Sequence, residues 1–319
     1  MHDIVPQEYR AVTFSRRIFE APPFAAARRH CAAHNADLAV PNGPGLGDIV
    51  CFSRLVEDVS RALGRPISLL TAPMNLHYGA HSRDGDNPVW ENNPFVRTMI
   101  DPGPEAMAEI IIEKDNHFQY GHVLQNMGFH YGVPPSCLRP SLFLSSAEMA
   151  WAIKALSGFL RPVICLHPSG VTSSPEGTPW HLRRWRTLVR RYHRRVTFIQ
   201  LGRKDYRFKE LQTCFIETSI REAFALIWAA DAFIGFDSGL AHVATAFEKP
   251  AMVLWDAAHK APIEECKQPG FSFAAMARWG YPQNRNILLL GEKRNEVVDI
   301  IGDFIKTFNS GAHLRLFDG

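Results

Sequence analysis

The residues best suited to chemistry are Asp237-Ser238-Gly239-Leu240-Ala241-His242, which follow the apolar run Phe233-Ile234-Gly235-Phe236. A strand ending at Phe236 and a helix opening at Gly239, with Leu240, Val243, Ala244 and Phe247 on one face, leave free backbone N–H groups at the turn. A helix start of this kind favours an anion such as a diphosphate. Gly239 lets a phosphate approach the backbone closely, and Ser238 offers a hydroxyl. An Asp or Ser before a helix is also an ordinary cap; that accounts for the Asp-Ser pair but not for His242, one turn in. A second group is Gly43-Pro44-Gly45-Leu46-Gly47-Asp48, whose glycines lie two apart with Pro44 between them, a poor dinucleotide fingerprint. The Asp48 carboxylate can act as a general base on a hydroxyl; read alone, it is a first-turn residue favoured by the helix dipole.

The remaining polar groups carry less. In Thr178-Pro179-Trp180-His181-Leu182-Arg183-Arg184-Trp185, two tryptophans flank a basic stretch. Arg183, Arg184, Arg186, Arg190, Arg191, Arg194 and Arg195 crowd one helix, where solvated charge opposite the Trp185/Leu188/Val189/Tyr192 face is the default reading. His77, His81, His117, His122 and His130, even with Asp84 and Asp86, match no metal-site spacing. Asp84-Gly85-Asp86 lies in a polar loop rather than at a strand end, so the expectation is a metal-independent reaction with no cofactor.

The elements that must position these groups follow an α/β pattern: apolar strand, turn rich in Gly, Pro or Ser, amphipathic helix. In the first half, Asp37–Val40, Ile67–Leu70 and Glu109-Ile110-Ile111-Ile112 read as strands, and a helix follows from Asp48 with Phe52, Leu55, Val56, Val59 and Leu63 on one face. Residues 78–93 read as a surface loop, and those before Asp37 fit no element. In the second half, Val163–Leu166, Val196–Leu201, Ala232–Phe236 and Ala251–Trp255 read as strands. His167 to Pro179 reads as a loop, Ser219-Ile220-Arg221-Glu222 as a capping box opening a helix, and about Asn295 to Phe308 as a closing helix. The expected division is 1–155 and 156–319, with the last helix free to pack back on the first domain. In such doubly wound sheets ligands gather at the carboxyl ends of the strands.

The bulk numbers exclude some classes. A chain of 319 residues with 46% hydrophobic and 21% charged residues suits two ordinary globular domains. A net charge of +3 does not argue for nucleic acid as partner. The six cysteines form no CxxC pair. No charged-then-apolar leader and no apolar run of membrane-spanning length is evident, so the expected location is cytoplasmic, with peripheral membrane contact left open.

The stretch from Ser219 to Trp255 resembles the donor-binding region of glycosyltransferase family 9, the bacterial heptosyltransferases. It has, in order, a capped helix, an apolar strand, Asp-Ser-Gly-Leu-x-His, an Ala-rich helix and the Lys249-Pro250 turn before a strand. The likeness extends more weakly over most of residues 37–256. It implies a GT-B fold, two Rossmann-like domains facing a central cleft, and inverting transfer of a sugar, heptose by default, from an ADP-linked donor. It implies donor contacts from Asp237, Ser238, Gly239, Leu240 and His242, and a general-base role for Asp48 in an acceptor-side loop with Gly45 and Gly47. Trp180 and Trp185 reproduce the family's aromatic pair, but Thr178 stands where the family often has a phosphate-binding Lys. Asp205 sits where the family often places an acidic residue near the donor nucleoside. Acceptors left open are lipopolysaccharide core, a protein side chain and a small molecule. The alternatives are a sugar-nucleotide epimerase of the same fold and a catalytically silent sugar-nucleotide-binding protein.

Overall fold

A computed structural model describes residues 25–40, 46–71, 87–117, 122–125, 128, 133–168, 179–202, 204, 207–255, 276, 278–289 and 293–309. The chain divides into two compact units, Met1–Phe143 with Ala274–Tyr281, and Leu144–Phe273 with Pro282–Gly319.

In the first unit, α1 (Ala25–His34) leads to β1 (Leu38–Ala39), α2 (Leu46–Leu63), β2 (Ile67–Leu70), β3 (Val96–Ile100) and α3 (Pro104–His117). The three strands form a parallel sheet in the order β1-β2-β3. Helix α2 is buried from Ile49 to Ser60, polar residues included. The chain 136–141 answers those polar groups. Ser136 donates from its backbone N (2.9 Å) and its hydroxyl (2.7 Å) to Asp58, and Arg54 Nε donates to the Arg139 carbonyl at 2.7 Å. Glu57 accepts from Ser141 and pairs with Arg54 at 2.9 Å and Arg61 at 2.8 Å. Burial opposes the Glu57 charge, but these partners overcome it and hold the carboxyl below its ordinary range. The segment Ala274–Tyr281 is fixed to this unit by the Tyr281 hydroxyl, 3.0 Å from Cys51 Sγ, and by the Tyr281 ring against His122.

The run Glu109-Ile110-Ile111-Ile112, expected as a strand, is part of helix α3. Pro104 at the first helical position and Glu105 in the first turn suit a helix start. Ala106, Met107 and Ile110 then bury one helical face, while Glu109 on the open side takes Arg29 and His30 of α1. Tertiary packing overrides the β-branched run, and the third strand is Val96–Ile100.

In the second unit, α4 (Ser146–Leu156) precedes β4 (Val163–His167), α5 (Pro179–Tyr192), β5 (Thr197–Gly202), β6 (Cys214–Glu217), α6 (Ile220–Ala229), β7 (Ala232–Phe236), α7 (Gly239–Ala246), β8 (Ala251–Trp255), β9 (Arg285–Leu288) and α8 (Lys293–Asn309). All six strands are parallel, in the order β6-β5-β4-β7-β8-β9. Numbered within this unit the order is 3-2-1-4-5-6, that of the doubly wound dinucleotide-binding fold. The expected capping box of Ser219 with Glu222 is present, and a second, Ser145 with Glu148, opens α4. Helix α4 belongs to this unit because Glu148 also receives Arg221 of α6 through two bonds of 2.7 Å. The boundary expected at 155/156 therefore falls at Phe143/Leu144.

The closing helix packs within the second unit. Val297, Val298, Ile301, Phe304 and Ile305 join Trp185, Leu188, Val189 and Tyr192 of α5 in one apolar layer over the sheet. Gly302 permits this closeness, since a Cβ there would collide with the Tyr192 hydroxyl and come within 2.8 Å of its Cζ.

Candidate functional site

The sheet order creates a switch point. From β4 the chain crosses to β5 on one side; from β7 it crosses to β8 on the other. The two strands are neighbours, with His167 in register with Gly235. Ligands of such sheets bind outside the carboxyl ends of the strands where the crossovers diverge. Asp237 and Ser238 leave β7 at that point.

Ser238 is the N-cap of α7, with extended backbone (φ −165, ψ 167), yet its side chain makes no capping bond. Its Oγ is buried and has no hydrogen-bond partner. The ordinary capping role therefore does not account for this hydroxyl, because a buried hydroxyl left unbonded costs free energy. The Ser238 carbonyl accepts from Ala241 N at 3.0 Å, whereas the N–H groups of Gly239 and Leu240 begin the helix and have no intrahelical acceptor. Asp237 is held by its backbone N–H to the Leu254 carbonyl at 3.3 Å. His242 is buried, and its Nε2 lies 4.0 Å from Asp237 Oδ1, too far for a direct hydrogen bond. The structure thus brings Asp237, Ser238, Gly239, Leu240 and His242 to one strand-to-helix turn.

The other expected residues are distributed differently. Asp48 and Gly47 are the third and second residues of α2 in the first unit, with Asp48 half-buried in the first turn. Trp180 is the second residue of α5. Gly45, Thr178 and Asp205 lie outside the described residues, as does most of the loop 78–93.

One polar residue was not singled out from the sequence. His167, read as the start of a loop, is the last residue of β4. Burial pushes its imidazole down to about 4, so it is neutral near pH 7. A Cβ on Gly235 would meet the His167 carbonyl oxygen at 2.7 Å and its Cβ at 2.8 Å. Only a glycine lets β7 pass this closely beside His167. The pairing spans the whole β4-to-β7 crossover, so no local pattern signals it.

On the other face of the sheet, Arg184, Trp185, Phe236, Leu254, Leu289, Val297, Val298 and Ile301 line a narrow crevice. The Trp185 and Phe236 rings meet there edge to face, centroids 6.1 Å apart. This lining supplies packing rather than reactive groups. Among the described residues, no group of three or more His, Cys, Asp or Glu side chains could hold a metal ion, and no helix is long and apolar enough to cross a membrane.

Residues 120–264 match the model of glycosyltransferase family 9 (heptosyltransferase). No curated protein matches the chain. Among solved structures, the chain is similar to the ADP-heptose lps heptosyltransferase II of E. coli, with 15% identity, 84% of this chain and 98% of that one covered, and a TM-score of 0.54. It is also similar to the glycosyl transferase family 9 protein of Veillonella parvula DSM 2008, with 12% identity, coverage of 81% and 86%, and a TM-score of 0.51. At these identities the likeness shows a shared fold. The matched stretch contains β4 to β8 and the Asp237–His242 turn, and over it the chain is similar to glycosyltransferase family 9 (heptosyltransferase).

Proposed function

We propose that the protein transfers a sugar, heptose, from a nucleoside diphosphate donor, ADP-heptose, to an acceptor nucleophile, with inversion and without a metal ion. The observation that carries this reading is the Asp237-Ser238-Gly239 turn, which opens α7 at the switch point of a 3-2-1-4-5-6 sheet inside the family 9 stretch. Free N–H groups and an unbonded buried hydroxyl suit the charge that builds on a departing diphosphate. In this reaction Asp48 takes the proton of the acceptor hydroxyl. The acceptor oxygen bonds to the anomeric carbon as the bond from that carbon to the diphosphate oxygen breaks, and the electron pair leaves with the diphosphate. Ser238 and the start of α7 receive that charge, with Thr178 as a further hydrogen-bond donor. Asp237 and His242 orient the donor. Leu240 and Trp180 pack on the donor, Asp205 serves its nucleoside, and Gly45 and Gly47 shape the acceptor-side loop. Both similar structures are of glycosyltransferases, and the E. coli protein is an lps enzyme. Lipopolysaccharide core is accordingly the acceptor we favour over a protein or small molecule. Such an enzyme works in the cytoplasm with peripheral contact to the membrane that carries its acceptor.

The test pairs calorimetric binding of ADP-, GDP- and UDP-sugars with transfer to a lipopolysaccharide-core acceptor. ADP-heptose should bind and be consumed only when acceptor is present. Isomerised donor in the absence of acceptor would favour an epimerase, and binding without turnover across an acceptor panel a silent binding protein. Asp48→Asn should abolish turnover with donor affinity nearly unchanged; substantial residual transfer would remove Asp48 as the base.

A further inference from the structure

Alternation along the strands assigns each face of the second unit's sheet. Ile164, Leu166, Ile234, Phe236, Met252 and Leu254 point into the layer formed with α5 and α8. Cys165, His167, Phe233 and Gly235 therefore point to the opposite face. Helix α7 packs on β7 and β8 and contributes nothing to the α5/α8 layer, so it lies on that opposite face as well. His167 thus ends its strand on the side where α7 begins. Its Cβ sits over Gly235, where no side chain intervenes. On the neighbouring strand's exit, the Ser238 hydroxyl is buried and unbonded. An imidazole at the end of one strand, with an unbonded hydroxyl and a helix start at the end of its neighbour, sets several hydrogen-bond donors on one face of the sheet.

We propose that His167 is a donor-binding residue, its ring N–H bonding a phosphate oxygen of the nucleoside diphosphate received at the start of α7. This rests on the donor reading given above and adds a contact to it. The half-buried ring is neutral because of its desolvation, so it approaches the phosphate as a hydrogen-bond donor and not as a counter-ion. Gly235 has a defined part: it keeps the space over β7 free for the ring.

The experiment measures ADP and inorganic diphosphate binding by calorimetry for the full chain, His167→Ala and His167→Gln, with the imidazole ¹⁵N spectrum of the full chain recorded with and without ADP. His167→Ala should weaken both ligands roughly tenfold or more. His167→Gln, which keeps an N–H donor, should recover part of that loss. The His167 ring signals should shift on adding ADP, which reads the contact even if the alanine variant folds poorly. Unchanged affinity of His167→Ala, or ring signals that do not move, would overturn the assignment while leaving the donor reading intact. Weakened ADP binding with diphosphate binding unaltered would move the contact away from the phosphates and also overturn it. If the full chain binds neither ligand, the donor reading itself fails and this contact with it.

Discussion

Gly235 tests the site at the level of one methyl group. An alanine there would place its Cβ 2.7 Å from the His167 carbonyl and 2.8 Å from the His167 Cβ, both fixed by the β4–β7 pairing, and 3.0 Å from the Phe233 ring. No rotation of a flexible side chain relieves the first two contacts, so the strands must part. Gly235→Ala should destabilise the protein by about 1–3 kcal/mol and weaken nucleoside diphosphate binding, as read by urea denaturation and calorimetry. A variant as stable as the parent with the same affinity would show that the strand ends yield freely. At this scale the Asp237–His242 turn was legible from sequence because its signals are local: an apolar run, a cap residue, a glycine and an apolar helical face. His167 was not, since His-Pro after a short strand reads as the start of a loop. Its position beside Gly235 depends on register between strands distant in sequence.

The elements were legible where local and tertiary preferences agree. The Ser219 capping box, the strand Ala232–Phe236 and helix α7 fall within a residue or two of expectation. The isoleucine run in α3 failed because β-branched residues suit both states and burial chose the helix. Strand β6 (Cys214–Glu217) and strand β9 (Arg285–Leu288) went unassigned: both are edge strands with charged or exposed residues, so their hydrophobic pattern is thin. The allegiance of helix α4 rests on Glu148, whose partner is far away in sequence. This carboxylate closes its own capping box through Ser145 N at 2.7 Å and receives both Arg221 bonds from α6. Burial opposes its charge, yet Arg221 and Ser145 hold its carboxyl below the ordinary range. Glu148→Ala should cost about 2–3 kcal/mol, from a lost cap and a half-buried Arg221 left without its partner. Glu148→Gln should retain the cap and recover part of that loss. Equal stabilities for the three proteins in urea would mean that packing alone docks α4 on α6.

For the molecule as a whole, the carboxylates predict how stability changes with acid. Asp37 lies between Arg65, at 2.6 and 3.0 Å, and the Ser68 N–H at 2.8 Å. The Arg65 bond is the chief cause of its lowered pKa, against a smaller opposing contribution from burial. Glu57 in the first unit and Glu148 in the second are also depressed, in each case by partners that overcome burial. Glu109 and Asp303 shift the same way at exposed positions, where solvent screening leaves little effect on stability. A carboxyl held lower in the folded state than in the unfolded chain stabilises the fold fully above its unfolded value. That contribution is lost as pH falls through the folded one. Since unfolded Asp and Glu titrate near about 3.9 and 4.3, the thermal midpoint should be nearly level from neutral pH to about 5 and fall steadily below about 4.5. The double variant Asp37→Asn with Glu57→Gln should start less stable at pH 7 and show a shallower acid limb, because two of the groups that take up protons on unfolding are gone. Parallel acid limbs for parent and variant would assign the loss to other groups, and with it remove these two carboxylates as the acid-sensitive ties of the first unit.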